Sequence, residues 1–384
     1  MVSRVPFKNL DLFIVAAEPS ADKQGAEIVS SLLKKTPSLN VAGVLGPKLR
    51  KLPIKCLMPM EKLLVMGFVD VLMAMPKIIF RFFYLKKMIL RLNPKAVLFI
   101  DYPEFNLRLE RALKRKKFKG KIFHHICPTV WAWAKSRVNI MNQGIDHLFT
   151  IFPFEKDLFT EAKFTADYVG HPLAYKIANY PYNPVSFQKN HILGIFPGSR
   201  TKELSRNLPL QLAITKQLLA KHPNITPIIS IGSEDKKPFI DKIVQQSGLE
   251  KYQYASEEEN YDLMKNCHFA VATSGTVTLE LALHKVPTVV TFAIKMVDLI
   301  IAQKILKIDL PFFCIVNILC QKFIFPELFG PNLTPNKLFY WMDLLYLDTA
   351  TRENIVYHCD QLAKQMLKND PSHEISKKMY PSFN

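Results

Sequence analysis

Residues 269–285 read FAVATSGTVTLELALHK. Phe269 to Thr273 form a short apolar run, Ser274-Gly275-Thr276 a turn of small residues, and 276–285 a stretch with helical apolar spacing. A strand, a tight turn and a helix in that order make one half of a βαβ unit. The helix N-terminus so created presents N–H groups and the positive end of its dipole to an anion. Glu280, one turn into the helix, is placed to accept hydrogen bonds from ribose hydroxyls. The alternative reading is an acidic residue favoured near the helix start by the dipole alone.

The same rhythm runs outward in both directions. Strand 191–196 (HILGIF) ends in Pro197-Gly198-Ser199-Arg200, where Gly198 allows close backbone approach, Ser199 offers a hydroxyl and Arg200 a planar fork for phosphate. As a pattern alone this turn is equally an ordinary one with a surface arginine. Further strands are expected at 11–17, 41–46, 96–101, 121–127, 147–152, 166–170, 225–232, 252–255 and 287–292, with helices at 22–35, 203–221 and 235–247. Short apolar strands alternating with helices predict an α/β protein with parallel sheets. Residues 176–190 (KIANYPYNPVSFQKN) break the rhythm and mark a boundary. The chain is thus expected to form two doubly wound, Rossmann-like domains, 1–178 and 188–350, followed by a helical tail at 351–384. Such domains bind ligands in a cleft beyond the carboxyl ends of their strands.

A chain of 384 residues fits two domains, and 49% hydrophobic with 22% charged residues is the balance of a folded protein. The formal charge of +18 favours polyanionic partners: anionic membrane, phosphorylated substrates or nucleic acid. Nucleic acid is disfavoured, because no zinc-finger spacing, basic zipper or aromatic RNA-binding signature occurs. The six cysteines form no C-x-x-C pair and no H-E-x-x-H is present, so reduced thiols in a cytoplasmic protein are expected. Residues 10–17 are too short for a signal-peptide core. The most apolar region, 63–85, is interrupted by Asp70, Pro76, Lys77 and Arg81, which argues against a membrane span.

Two strand ends in the first half carry acidic residues. Strand 96–101 ends at Asp101, followed by Tyr102-Pro103-Glu104-Phe105-Asn106. A carboxylate there suits a general base, or else caps a turn. Strand 11–17 leads through Glu18, Pro19, Ser20, Ala21 and Asp22 into a helix. Strand 121–127 leads to Trp131 and Trp133, which are packing anchors or rings on which a sugar stacks.

Together these segments resemble one family, the bacterial lipid-A-disaccharide synthases, glycosyltransferases of the GT-B fold. The matching motifs, in family order, are AAEPSAD (16–22), VMGFVDVL (65–72), IDYPEFN (100–106), VWAW (130–133), FPFEKDLF (152–159), VGHPL (169–173), FPGSR (196–200), TSGTVTLE (273–280), and VN (316–317) with PE (326–327). The chain departs from the family at Ala17, Pro19 and Ala21, in a loop that is usually richer in glycine (GEASGD-like), and at Gly330, where glutamine is usual. The resemblance implies transfer of 2,3-diacylglucosamine from its UDP conjugate to the 6′-hydroxyl of 2,3-diacylglucosamine 1-phosphate, with inversion and release of UDP. It implies Asp101 as base and Ser199, Arg200, Ser274, Gly275, Thr276, Glu280 and Asn317 on the donor. Glu18, Ser20 and Asp22 would line the acceptor side. No D-x-D motif occurs, so no metal or other cofactor is expected. A homodimer is left open. Other UDP-sugar GT-B enzymes, a non-hydrolysing 2-epimerase or a lipid-linked N-acetylglucosaminyltransferase, stay as alternatives, as does a non-catalytic lipid- or nucleotide-binding module.

Residues 76–92 sort on a helical wheel into a basic side (Lys77, Arg81, Lys87, Arg91) and an apolar side (Ile78, Ile79, Phe82, Phe83, Ile89, Leu90). A basic amphipathic helix suits the surface of an anionic bilayer. Ile79, Phe82 and Phe83 are therefore expected at the membrane or the acyl chains, with the protein peripheral on the cytoplasmic face of the bacterial inner membrane. The competing reading is a helix packed on the first sheet.

Overall fold

The computed structural model describes residues 9–63, 68–128, 130, 137–183, 187, 191–294, 311–367 and 370–383, with the side chains of 68–74 excepted. Motif residues 65–67, Thr129, Trp131 and Trp133 lie outside that set. The chain divides into two compact units, Met1–Tyr175 with Lys368–Asn384, and Lys176–Leu367.

The first unit is built on seven strands: β1 (Leu12–Ala16), β2 (Val41–Leu45), β3 (Lys55–Pro59), β4 (Ala96–Ile100), β5 (Lys121–His125), β6 (His147–Thr150) and β7 (Thr165–Tyr168), in the order β3-β2-β1-β4-β5-β6-β7. All its ladders are parallel, and β1 and β4 pair from Leu12↔Ala96 to Ala16↔Ile100. The two central strands, LFIVA and AVLFI, are buried throughout, as strands covered on both faces must be. Alternate residues serve opposite faces. Leu12, Ile14 and Ala16 pack with Ile28, Val29 and Leu32 of α1 (Pro19–Lys35), whereas Phe13 and Val15 pack with Leu85 and Ile89 of α2 (Phe68–Leu92) and Leu109 and Leu113 of α3 (Pro103–Arg115).

The short helices α4 (Arg137–Met141) and α5 (Pro172–Ala178) come next, and the second unit begins at Lys176, within α5. Its strands are β8 (Ile192–Phe196), β9 (Thr226–Ser230), β10 (Gln253–Ala255), β11 (Phe269–Thr273), β12 (Thr288–Phe292) and β13 (Glu327–Phe329), in the order β10-β9-β8-β11-β12-β13, again all parallel. Its helices include α6 (Thr201–Lys221), α7 (Lys237–Ser247), α8 (Asn260–Asn266), α9 (Thr276–Leu283), α10 (Ile315–Cys320), α11 (Pro335–Leu347) and α12 (Thr349–Met366). The stretch 351–384 is not one tail. Helix α12 stays with the second unit, while α13 (Pro371–Met379) belongs to the first. There Ile375 and Met379 join the core on α1, Ser376 Oγ lies 2.8 Å from Ser31 Oγ, and Lys378 pairs with Asp167 at 2.9 Å.

Each sheet reverses its strand order once, between β1 and β4 in the first unit and between β8 and β11 in the second. In open α/β sheets that reversal leaves a crevice at the carboxyl ends of the two strands. The four loops singled out in the sequence, after residues 16, 100, 196 and 273, follow those four strands.

Candidate active site

In the first unit, Glu18 and Asp101 follow adjacent strands whose last paired residues are Ala16 and Ile100. Burial, and then the charge of Asp101, push the Glu18 carboxyl above the ordinary carboxylate range. Burial and the charge of Glu18 likewise raise the Tyr102 phenol. Asp101, Glu18 and Tyr102 therefore share one electrostatic site. Asp101 and Tyr102 both sit at φ +52°, left-handed backbone that costs a non-glycine residue about 1–2 kcal/mol. The surroundings hold them there: Asp101 N–H donates to His125 O at 2.9 Å, and Asn106 Nδ2 donates to Asp101 O at 2.6 Å. Burial lowers the His125 pKa to about 3, so its ring is neutral, and Nε2–H donates to Gln24 Oε1 at 2.7 Å.

The other two residues expected on the acceptor side divide. Ser20 is exposed in the first turn of α1. Asp22 is not an acceptor-facing group. It is 1% exposed, and its carboxylate accepts from Gly46 N–H (3.0 Å), Lys48 N–H (2.7 Å) and Leu49 N–H (3.1 Å). It fixes the turn after β2.

In the second unit a cavity of about 770 Å³ opens where β8 and β11 end. The loops after both strands line it, through Gly198, Ser199 and Arg200 on one side and Ser274, Gly275 and Thr276 on the other. Gly198 has φ +99°, and a Cβ there would meet Glu203 Oε2 at 2.9 Å, so the turn requires glycine. A Cβ on Gly275 would meet nothing within 4 Å, which leaves the start of α9 open to close approach. Thr273 Oγ1 donates to Pro197 O at 2.8 Å and ties the two loops together. The Arg200 side chain is 83% exposed and its Nη1 donates to Glu203 Oε1 at 2.8 Å. An exposed arginine, two small-residue loops and the N-terminus of an α-helix form an anion site, since first-turn N–H groups have no acceptor within the helix.

Glu280 lines the same cavity and accepts from Tyr261 Oη at 2.9 Å. Lys176 and Tyr180 line it as well. These three, Lys176, Tyr180 and Tyr261, escaped the sequence reading, two of them because 176–190 reads as a linker. Asn317 is a correction. It is fully buried, its Nδ2 donates to Phe325 O at 2.8 Å, and its Oδ1 accepts from Ile324 and Phe325 N–H. It pins the chain between α10 and β13 and does not line the cavity. Glu327 does similar work, accepting from Phe313 and Cys314 N–H.

Helix α2 corrects one further expectation. Phe82 is half-buried and packs edge-on against Phe105 at 5.7 Å, beside Ile78, Leu85 and Ile89 on the core. Ile79 (50%), Phe80 (71%) and Phe83 (54%) are exposed, with Met75 one turn earlier. The apolar arc of α2 is wider than the core can cover, and the wheel's apolar side divides into a core face and an uncovered row next to it.

The fold is that of a GT-B protein, and solved structures of that class resemble this chain in fold. A UDP co-structure of MnaA from S. aureus aligns with a TM-score of 0.61 at 13% identity, over 98% of each chain. The glycotransferase of kitacinnamycin aligns with a TM-score of 0.60 at 9% identity, over 98% of this chain and 100% of that one. The sequence model of the lipid-A-disaccharide synthetase family matches residues 12–377, and the chain belongs to that family. It is 34% identical over 369 residues to the lipid-A-disaccharide synthase of Chlamydia trachomatis serovar D, covering 94% of this chain and 59% of that protein. To the lipid-A-disaccharide synthase of Thiobacillus denitrificans it is 32% identical over 330 residues, 85% of this chain and 87% of that one. The chain thus spans about three fifths of the length of the chlamydial relatives.

Proposed function

We propose that this chain is an inverting glycosyltransferase that joins UDP-2,3-diacylglucosamine to 2,3-diacylglucosamine 1-phosphate, releasing UDP. The observation that carries this reading is the cavity at the β8/β11 reversal, where FPGSR and SGT meet with Glu280 beside them. In the reaction, Asp101 takes the proton of the acceptor 6′-hydroxyl as its oxygen attacks the anomeric carbon. The bond from that carbon to the diphosphate breaks, and UDP leaves with the electron pair. Arg200 and the N–H groups opening α9 receive the charge that builds on the diphosphate. Glu280 holds the ribose. UDP release that depends on added lipid acceptor, and that persists in excess chelator, tests the proposal. Release without acceptor, or loss on chelation, contradicts it.

Donor binding gives a first prediction. Arg200→Ala should weaken UDP binding about ten- to a hundred-fold, and Arg200→Lys should restore only part, because an ammonium lacks the planar fork. Calorimetry with UDP checks this; unchanged affinity in both variants places the diphosphate elsewhere.

The substrates carry acyl chains, and a peripheral position on an anionic bilayer follows from the same reading. No helix among the described residues is long and apolar enough to cross a membrane. Ile79, Phe80 and Phe83 form an exposed apolar row with Lys77, Lys87 and Arg91 exposed on the same helix, and Lys86 Nζ stands 4.7 Å over the Phe83 ring. Interfacial helices combine these features. Replacing Ile79 and Phe83 with Ser should lower sedimentation with anionic vesicles while leaving UDP affinity and Tm near the wild-type values. Phe82→Ser should instead lower Tm. If the double variant binds vesicles as the wild type does, the row is not a membrane contact.

A further inference from the structure

Glu280 is held by a chain of contacts that no motif contains. Tyr261, on α8, is 7% exposed and its hydroxyl donates to Glu280 Oε1 at 2.9 Å. A carboxylate only accepts, so the phenol proton points at it. The ring has little freedom: Tyr180 packs edge-on at 5.0 Å, and the His284 ring lies 5.2 Å away. Lys176 Nζ sits 4.5 Å from the centre of the Tyr261 ring and 3.3 Å from its hydroxyl oxygen. The ammonium donates to the phenol oxygen while the phenol donates to the carboxylate, and hydrogen bonds in such a series strengthen one another. Burial and the charge of Glu280 push the phenol pKa well above its usual value, so Tyr261 remains a donor over the whole working range of pH.

The backbone of Glu280 is fixed as well. Burial lowers the His284 pKa to about 4, leaving a neutral ring whose Nδ1–H donates to Glu280 O at 2.7 Å. Its Nε2 then accepts from Tyr182 Oη at 3.0 Å. A carboxylate that discriminates between sugar hydroxyls must be aimed, because a charge-assisted hydrogen bond is strong only along a narrow range of directions. The aim of Glu280 is set from Tyr261.

We infer that Tyr261 is a positioning residue that gives this cavity its preference for a ribose over a deoxyribose nucleotide, acting through Glu280. The inference rests on the nucleotide reading of the cavity. Tyr261→Phe is the suitable variant, since it keeps the ring and its packing and removes only the hydroxyl. Calorimetry would compare UDP with its 2′-deoxy and 3′-deoxy counterparts on the wild type and on Y261F. The wild type should bind UDP about ten-fold tighter than at least one deoxy counterpart, the worth of one hydrogen bond to a charged group. Y261F should narrow that ratio to about two-fold while binding the deoxy nucleotide as the wild type does. Equal weakening of all three nucleotides would overturn the inference, because Tyr261 would then act through packing or direct contact. A wild type that binds UDP without discrimination also overturns it and leaves the functional reading standing. A wild type that does not bind UDP overturns both.

Discussion

Asp101→Asn should cut turnover by about 10²–10⁴-fold, the range for loss of a positioned general base. The substitution keeps shape and hydrogen-bonding reach and removes basicity. It also keeps the backbone, since Asn tolerates the left-handed conformation that Asp101 adopts at φ +52°. A loss of activity is therefore not a loss of folding, and Tm should stay within a few degrees of wild type. UDP affinity should also hold, because Arg200, Glu280 and the start of α9 belong to the other unit. Two neighbouring groups are poorly suited to act as base. His125 is buried, neutral and bonded to Gln24, and Glu104 is paired at the surface with Arg137 and with Arg108 at 3.9 Å. Near-normal turnover in D101N would point instead to Glu18, the carboxyl whose pKa the charge of Asp101 helps to raise.

Asp22→Ala should destabilise the first unit by about 3–4 kcal/mol, because it strips the acceptor from three backbone N–H groups, two of the bonds being fully buried. Denaturant unfolding measures the loss. The activity of the molecules still folded should be close to wild type. A variant of normal stability that fails with lipid acceptor would return Asp22 to the acceptor role that its motif suggests.

These two aspartates show what the sequence discloses and what it hides. The strand-end position of Asp101 is local information: an apolar five-residue run, a polar turn, a helix. The same holds for Gly198, Arg200, Ser274 and Gly275, and the structure brings the last four together around one cavity. The partners of Asp22 lie 24 to 27 residues away, and those of Asn317 are set by a turn between an apolar helix and a three-residue strand. No periodicity reports such contacts. Strands β3 and β13 were missed for a related reason. They are edge strands, one with exposed Lys55 and Cys56 and the other only three residues long, so neither carries the apolar run of a central strand. For α2 the wheel separated polar from apolar correctly, but the depth to which each apolar residue packs depends on α3 beneath it, through Phe105.

The most direct test of the central claim is mass spectrometry of the products formed from UDP-2,3-diacylglucosamine and 2,3-diacylglucosamine 1-phosphate by the full chain. The account predicts a tetra-acylated disaccharide 1-phosphate and one UDP for each disaccharide made, with both lowered by about 10²-fold or more in D101N reactions of equal length. Recovery of an epimerised or hydrolysed UDP-sugar with no disaccharide would contradict it.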